Sequence, residues 1–272
     1  MNLKIFSFFS GSGFLDLGFE LNGFSIELVN EFSPAFINAY KYSRKQMGLA
    51  APKYGYSNID VNEYLGNRAD ELRGYIADSK KGGSLVGFIG GPPCPDFSVA
   101  GKQRGRNGDN GKLSLSYVQL IIAQHPDFFL FENVKGLWKT AKHREYYEEL
   151  KSMLSEAGYF MTDRLTNSIE FGAPQDRDRI LLFGTSKSLY PNISENPLDD
   201  FPWEKYATKA FRQTEYICRL NRDQKDCCFF LHAQTCFQND QSANCPYIVF
   251  LIRDLLNGAT NISICCFREH FV

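Results

Sequence analysis

The 272-residue chain has no apolar run approaching the ~20 residues that a membrane-spanning helix needs, so a helical membrane anchor is not expected. Charge of either sign is not in excess. The chain has 30 basic and 31 acidic side chains, a formal net charge of -1, so any attraction to a polyanion must come from a local basic patch. Cysteine is nearly missing where a disulfide framework would require it. Cys94 stands alone in the first 217 residues, while Cys218, Cys227, Cys228, Cys236, Cys245, Cys265 and Cys266 crowd the tail. A secreted scaffold spreads its cysteines through the fold, so that class is not indicated. No basic start, long apolar core and cleavage site open the chain. Residues 1–9 therefore read as a strand rather than a signal peptide, and a cytoplasmic protein is expected. There is no internal repeat.

What is present is the composition of a globular protein, 43% hydrophobic and 22% charged, and long enough for one large domain or a domain with a small second lobe. Strands are predicted at 3–9, 24–30, 85–89, 128–131, 159–166 and 180–184, with a short one ending near Ile59. Helices are predicted around Leu15, Leu17, Phe19 and Leu21, and over 33–47, 69–79, 113–124 and 143–157. This alternation implies an α/β fold built on a doubly wound, mostly parallel sheet. Residues 98–112 hold four glycines with Lys102, Gln103, Arg104, Arg106 and Lys112, and read as a mobile basic lid or a merely solvated loop. After residue 189 the alternation stops. Pro191, Asn192, Asn196, Pro197 and Pro202 read as linker, and a short, irregular C-terminal segment follows. The chain is thus divided into 1–188 and 189–272.

Five stretches carry candidate chemistry. Gly90-Gly91-Pro92-Pro93-Cys94-Pro95 follows a buried strand, which places Cys94 on stiff backbone at a strand's carboxyl end. Its thiol reads as a nucleophile or as a buried structural cysteine. Phe9-Ser10-Gly11-Ser12-Gly13 joins a strand to a helix, as a tight turn or as a place where a ligand nears the backbone and an anionic carboxylate meets free N–H groups. Glu31 ends the next strand, where it could accept hydrogen bonds from ribose hydroxyls or stand as a surface acid at a helix start. Phe32 beside it could stack on an adenine. Glu132 follows an apolar strand, so its pKa should be raised; alternatively it pairs with Lys135. Arg177 and Arg179 share a face if extended and can enter one cleft, or form a solvated charge ladder.

In their order and spacing these stretches resemble the cytosine-5 DNA methyltransferases. The resemblance runs through FFSGSGFLDLGFE, GGPPCPDFSVAGKQRG, FENVKGL and QDRDRILLFG, over roughly residues 3–185. It implies a Rossmann-like methyltransferase fold and methyl transfer from S-adenosyl-L-methionine to carbon 5 of a cytosine flipped from duplex DNA. Cys94 would be the nucleophile and Glu132 the group at ring nitrogen 3. Arg179 would hold the cytosine carbonyl, and Arg177 and Gln175 would shape the pocket. The cofactor would lie on Phe9, Ser10, Gly11 and Gly13, with Glu31 on the ribose and Phe32 on the adenine. Ile59 and Leu113 would line the site, and Pro92 and Pro93 would wall cofactor from thiol. The family usually has Asp where Asn58 precedes Ile59, and an amide oxygen can take the same bond from the adenine amino group. A restriction–modification system is implied, with a cognate restriction endonuclease as partner.

The family's later Arg-rich motif and its closing motif are not found in 189–272. The favoured reading is a truncated or frameshifted gene. Alternatives are a diverged recognition lobe completed by a second chain, and a zinc site from Cys228, His232 and Cys236 that lacks a CxxC pair. No metal is therefore assigned. An RNA cytosine methyltransferase and a non-catalytic remnant that binds cofactor or DNA are the rival functions.

Overall fold

The computed structural model describes residues 2–93, 109–171 and 176–203. Seven strands form one sheet: β1 (Leu3–Phe8), β2 (Ser25–Asn30), β3 (Tyr56–Ser57), β4 (Leu85–Gly90), β5 (Phe128–Val134), β6 (Tyr159–Asn167) and β7 (Asp178–Ser186). The order is β3-β2-β1-β4-β5-β7-β6, with β7 antiparallel to both neighbours and the other pairings parallel. Helices α1 (Phe14–Leu21), α2 (Pro34–Gln46), α3 (Ala69–Ser79), α4 (Asp109–Gln124), α5 (Lys135–Lys139) and α6 (Ala141–Glu156) alternate with the strands. The expected doubly wound, mostly parallel α/β fold is what forms.

Strand β4 shows why both sheet faces must be covered. All six of its residues are buried, as in a strand with helices on either side. One core layer gathers Ile5, Phe19, Val29, Ile37, Tyr40, Ile89 and Leu130. The other gathers Phe8, Phe88, Tyr117, Ile121, Phe131, Tyr147 and Leu182. At roughly 2 kcal/mol for each large apolar side chain withdrawn from water, these two layers dominate the stabilisation of the sheet.

Several boundaries differ from the sequence reading. Strand β5 continues three residues beyond 131 because β7 pairs with it as far as Val134 opposite Arg179. Helix α4 starts at Asp109, so Gly111 and Lys112 belong to its first turns rather than to a loop. The alternating Leu15, Leu17, Phe19 and Leu21 do not form a buried stripe: in α1 the buried positions are Asp16, Gly18 and Phe19, and Leu21 is 52% exposed. The stretch read as linker is packed. Tyr190, Leu198, Phe201 and Trp203 join the first core layer, and Trp203 Nε1 donates to Thr162 Oγ1 at 3.0 Å. Proline and asparagine mark its turns, but the aromatics between them find the core. Residues 204–272, including Cys228, His232 and Cys236, lie outside the described residues. Among the described residues, no helix is long and apolar enough to cross a membrane.

Candidate active site

The strand order reverses between β1 and β4, and open α/β sheets hold ligands in the crevice at that point. The β1–α1 turn and the Gly-Gly-Pro-Pro segment leave the sheet side by side there, since Phe8 pairs with Gly90. Strand β5 carries Glu132 one position beyond Phe131, the residue that pairs with Gly90. Because β7 runs backwards, its first residues, not its last, reach the same rim. This is how Arg179, which precedes an apolar strand in sequence, comes to face Glu132.

Glu132 Oε1 meets Arg179 Nε at 2.7 Å, with the two side chains 26% and 21% exposed. Burial pushes the Glu132 carboxyl up from its ordinary range, and the nearby charges of Arg179 and Arg177 partly offset this. Lys135 is not the partner of Glu132. It pairs with Asp178. Arg177 lies one step outside β7 and stays exposed, so the two arginines do not enter the cleft equally, though the Arg177 charge is felt at Glu132. A Cβ placed on Gly91 would stand 2.8 Å from Glu132 Oε2, so glycine is what lets the carboxylate settle on the β4 turn. Asn133, buried on the opposite side of β5, directs Nδ2 toward the Pro92 carbonyl at 3.5 Å, and its Oδ1 accepts from Val134 N at 2.8 Å. Pro92 is buried and Pro93 exposed; Cys94 and Gln175 lie outside the described residues.

The second group of residues gathers at β1, β2 and β3. Phe9 leaves β1 with φ of 53°, in the left-handed region that non-glycine residues seldom occupy, and its ring meets Tyr117 edge-on at 5.9 Å. Gly13 caps α1 with φ of 85°, and a Cβ there would collide with the Tyr40 ring. Glu31 uses both carboxylate oxygens: Gly11 N donates to Oε2 and Ser33 N to Oε1, each at 2.8 Å. The Gly11 N–H is therefore engaged by Glu31 rather than left open, and Glu31 also serves the start of α2. Each oxygen keeps a further lone pair. Phe32 is 71% exposed beside it.

Asn58 Nδ2 donates to the carbonyls of Glu31 and Phe32 at 2.6 and 2.7 Å, which leaves its amide oxygen available. Only a donor satisfies two carbonyls, so this contact fixes which amide atom is nitrogen. Ile59 and Leu113 are partly buried against the second core layer. Ser10 Oγ is buried without a hydrogen-bond partner among the described residues.

A buried cluster of Ser7, Asp16, Tyr40 and Arg44 went unnoticed in the sequence. Asp16 is fully buried and accepts from Ser7 Oγ at 2.8 Å and Tyr40 Oη at 2.9 Å, and Arg44 Nη2 donates to the Gly13 carbonyl at 2.6 Å. Asp16 reads as an ordinary acid in a first helical turn, and nothing local marks Arg44 as buried.

Comparison with known proteins agrees with the geometry. The C-5 cytosine-specific DNA methylase family matches residues 3–242, beyond the four motifs. The Type II methyltransferase M.NmeDI of Neisseria meningitidis serogroup C is 55% identical over 223 residues, 79% of this chain and 52% of its own. The Type II methyltransferase M.FnuDI of Fusobacterium nucleatum is 35% identical over 192 residues, 71% of this chain and 49% of its own. The chain thus spans about half the length of the curated relatives it matches. Among solved structures, a protein assigned as a DNA modification methyltransferase of an E. coli prophage superposes with a TM-score of 0.54. It is 28% identical and covers 71% of this chain and 49% of its own. The Spodoptera frugiperda DNMT2 structure shares the fold at TM-score 0.52, with 17% identity, 72% of this chain and 54% of its own. Motifs, fold and relatives converge, and the chain belongs to the C-5 cytosine-specific DNA methylase family.

Proposed function

We propose that this chain carries the cofactor-binding and catalytic part of an S-adenosylmethionine-dependent DNA cytosine-5 methyltransferase of a restriction–modification system. The supporting observation is the Glu132 carboxylate, held by Arg179 and seated against Gly91, three residues before Cys94 in the chain. A raised carboxyl pKa suits a group that must hold a proton on a ring nitrogen near neutral pH.

The residues at β1, β2 and β3 fit a nucleoside with an amino-acid tail. Among the described residues, Ser10 Oγ is a buried polar atom without a partner and the Asn58 amide oxygen is free, while Phe32 offers an open aromatic face. Among the described residues, the N–H groups of Phe14 and Leu15 at the start of α1 have no backbone carbonyl partner, and they suit a carboxylate. S-adenosylmethionine, when bound, supplies an electrophilic sulfonium methyl. The Cys94 thiolate adds to carbon 6 of a cytosine extruded from the duplex, forming an S–C bond. Glu132 holds a proton at ring nitrogen 3, so the electron pair displaced from the 5,6 double bond leaves carbon 5 nucleophilic. Arg179 holds the ring carbonyl oxygen, with the Arg177 charge beside it. Carbon 5 would gain the methyl, with the broken S–CH3 bonding pair remaining on the donor sulfur as a thioether; loss of the carbon 5 proton to water and expulsion of the Cys94 thiolate then restore the double bond.

Duplex DNA in the cytoplasm is the proposed substrate, with a cognate endonuclease as the partner in the system. The test is transfer of labelled methyl to duplex DNA, read as 5-methylcytosine, with RNA as a parallel arm. We expect label in DNA that disappears in Cys94→Ala. Label confined to RNA would favour an RNA methyltransferase, and cofactor binding without any transfer would favour a non-catalytic remnant.

A further inference from the structure

Below the β1–α1 turn lies a buried cluster that the reaction chemistry does not use. Arg44, on α2, is 3% exposed. Its Nη2 donates to the Gly13 carbonyl at 2.6 Å, its Nε lies 2.6 Å from Glu20 Oε2, and its guanidinium sits 4.3 Å above the Tyr40 ring centre. Tyr40 in turn donates to Asp16, and its ring fills the space beneath Gly13 where any side chain would collide. Burying an arginine costs several kcal/mol unless it is fully paired, and a cation behind a helix N-terminus opposes the helix dipole. Two carboxylates and a stacked ring offset that cost here, and what the guanidinium gains is one backbone carbonyl in the turn.

That carbonyl has a geometric consequence. The Gly13–Phe14 peptide is planar and trans, so its C=O and N–H point in opposite directions. Arg44 and Leu17 N, at 3.0 Å, both pull the Gly13 oxygen downward into the core, which directs the Phe14 N–H outward from the start of α1. We infer that Arg44 is a positioning residue for the cofactor: acting through the Gly13 carbonyl, it aims the Phe14 N–H at the carboxylate of the bound amino-acid tail. This rests on the S-adenosylmethionine reading above.

The experiment is calorimetric titration of the full 272-residue chain with two probes. One is S-adenosylmethionine. The other is 5′-methylthioadenosine, which keeps the adenosine and a methylated sulfur, here a neutral thioether, but lacks the whole amino-acid tail with its carboxylate. Arg44→Lys should weaken S-adenosylmethionine by about tenfold, the scale of one charge-assisted hydrogen bond, and leave methylthioadenosine within about twofold. Unchanged affinity for both probes overturns the inference, and so does equal weakening of both, which would make Arg44 a general support of the fold. Should Arg44→Lys not fold, Tyr40→Phe keeps the ring under Gly13 and removes only its bond to Asp16. It should show the same selectivity at about two- to threefold, and loss of that selectivity overturns the inference as well. If the unaltered chain binds neither probe, the cofactor reading itself fails, an outcome distinct from the others.

Discussion

Gly91 and Glu132 show how much of this site rests on single atoms. The carboxylate sits where it does because Gly91 has no Cβ: one placed there would be 2.8 Å from Oε2. Gly91→Ala should therefore push Glu132 off the β4 turn while leaving the β1–β2–β3 residues untouched. Since a displacement of about 1 Å at a reacting group can cost on the order of a hundredfold, kcat should fall by roughly 10- to 100-fold with little change in cofactor affinity. Steady-state kinetics with both substrates varied checks this; an equal loss in cofactor affinity would show that the two groups of residues are not separate. Glu132 and Arg179 were legible because each stands in a short string with distinctive neighbours. Asn58 was legible as a departure from the family pattern, but its grip on the Glu31 and Phe32 carbonyls was not, because it requires the β2 and β3 ends to lie together. Gly11 taught the same lesson: its N–H is taken by Glu31, an intramolecular claim that no local pattern announces.

At the scale of elements, the pairing of α1 with α2 carries a term that weakens as pH rises. Burial pushes Asp16 up from 3.8 to about 6 and Glu20 from 4.5 to about 6, despite the Arg44 charge beside both. A carboxyl whose folded pKa exceeds its unfolded value contributes stability that is complete below the unfolded pKa and is lost as pH rises through the folded one. These two groups should therefore cost stability between about pH 4 and pH 6, by roughly 2–3 kcal/mol each. Asp16→Asn removes one of them. Urea unfolding at pH 5 and pH 7.5 should show a smaller difference between the two conditions in the variant than in the parent protein; an unchanged difference would remove Asp16 from the account. The helices themselves were legible from periodicity, and α3 matches its expected span of 69–79. Helix α1 was not read correctly on its buried face, because the polar Asp16 occupies a position that pattern reading reserves for an apolar side chain.

For the whole molecule, the sheet explains how motifs scattered over about 170 residues come to share one rim. Strand alternation alone was enough to indicate a doubly wound sheet. It could not show that β7 inserts antiparallel between β5 and β6, which brings Arg179 to the rim occupied by Glu132. Nor did it show that Leu198, Phe201 and Trp203 close the first core layer, because their prolines and asparagines resemble those of a linker. The packed unit thus runs past 188, to Trp203 at least, within a chain whose match spans about half the length of its curated relatives. The proposed chemistry draws on the Glu132 carboxyl at this rim and on Cys94, three residues along the chain from Gly91. The most direct measurement is peptide mapping by mass spectrometry after incubating the chain with S-adenosylmethionine and duplex DNA containing 5-fluorocytosine, whose carbon 5 has no proton to lose. A nucleotide adduct on the peptide containing Cys94 is the predicted result. No adduct, or an adduct on any other residue, would contradict the account.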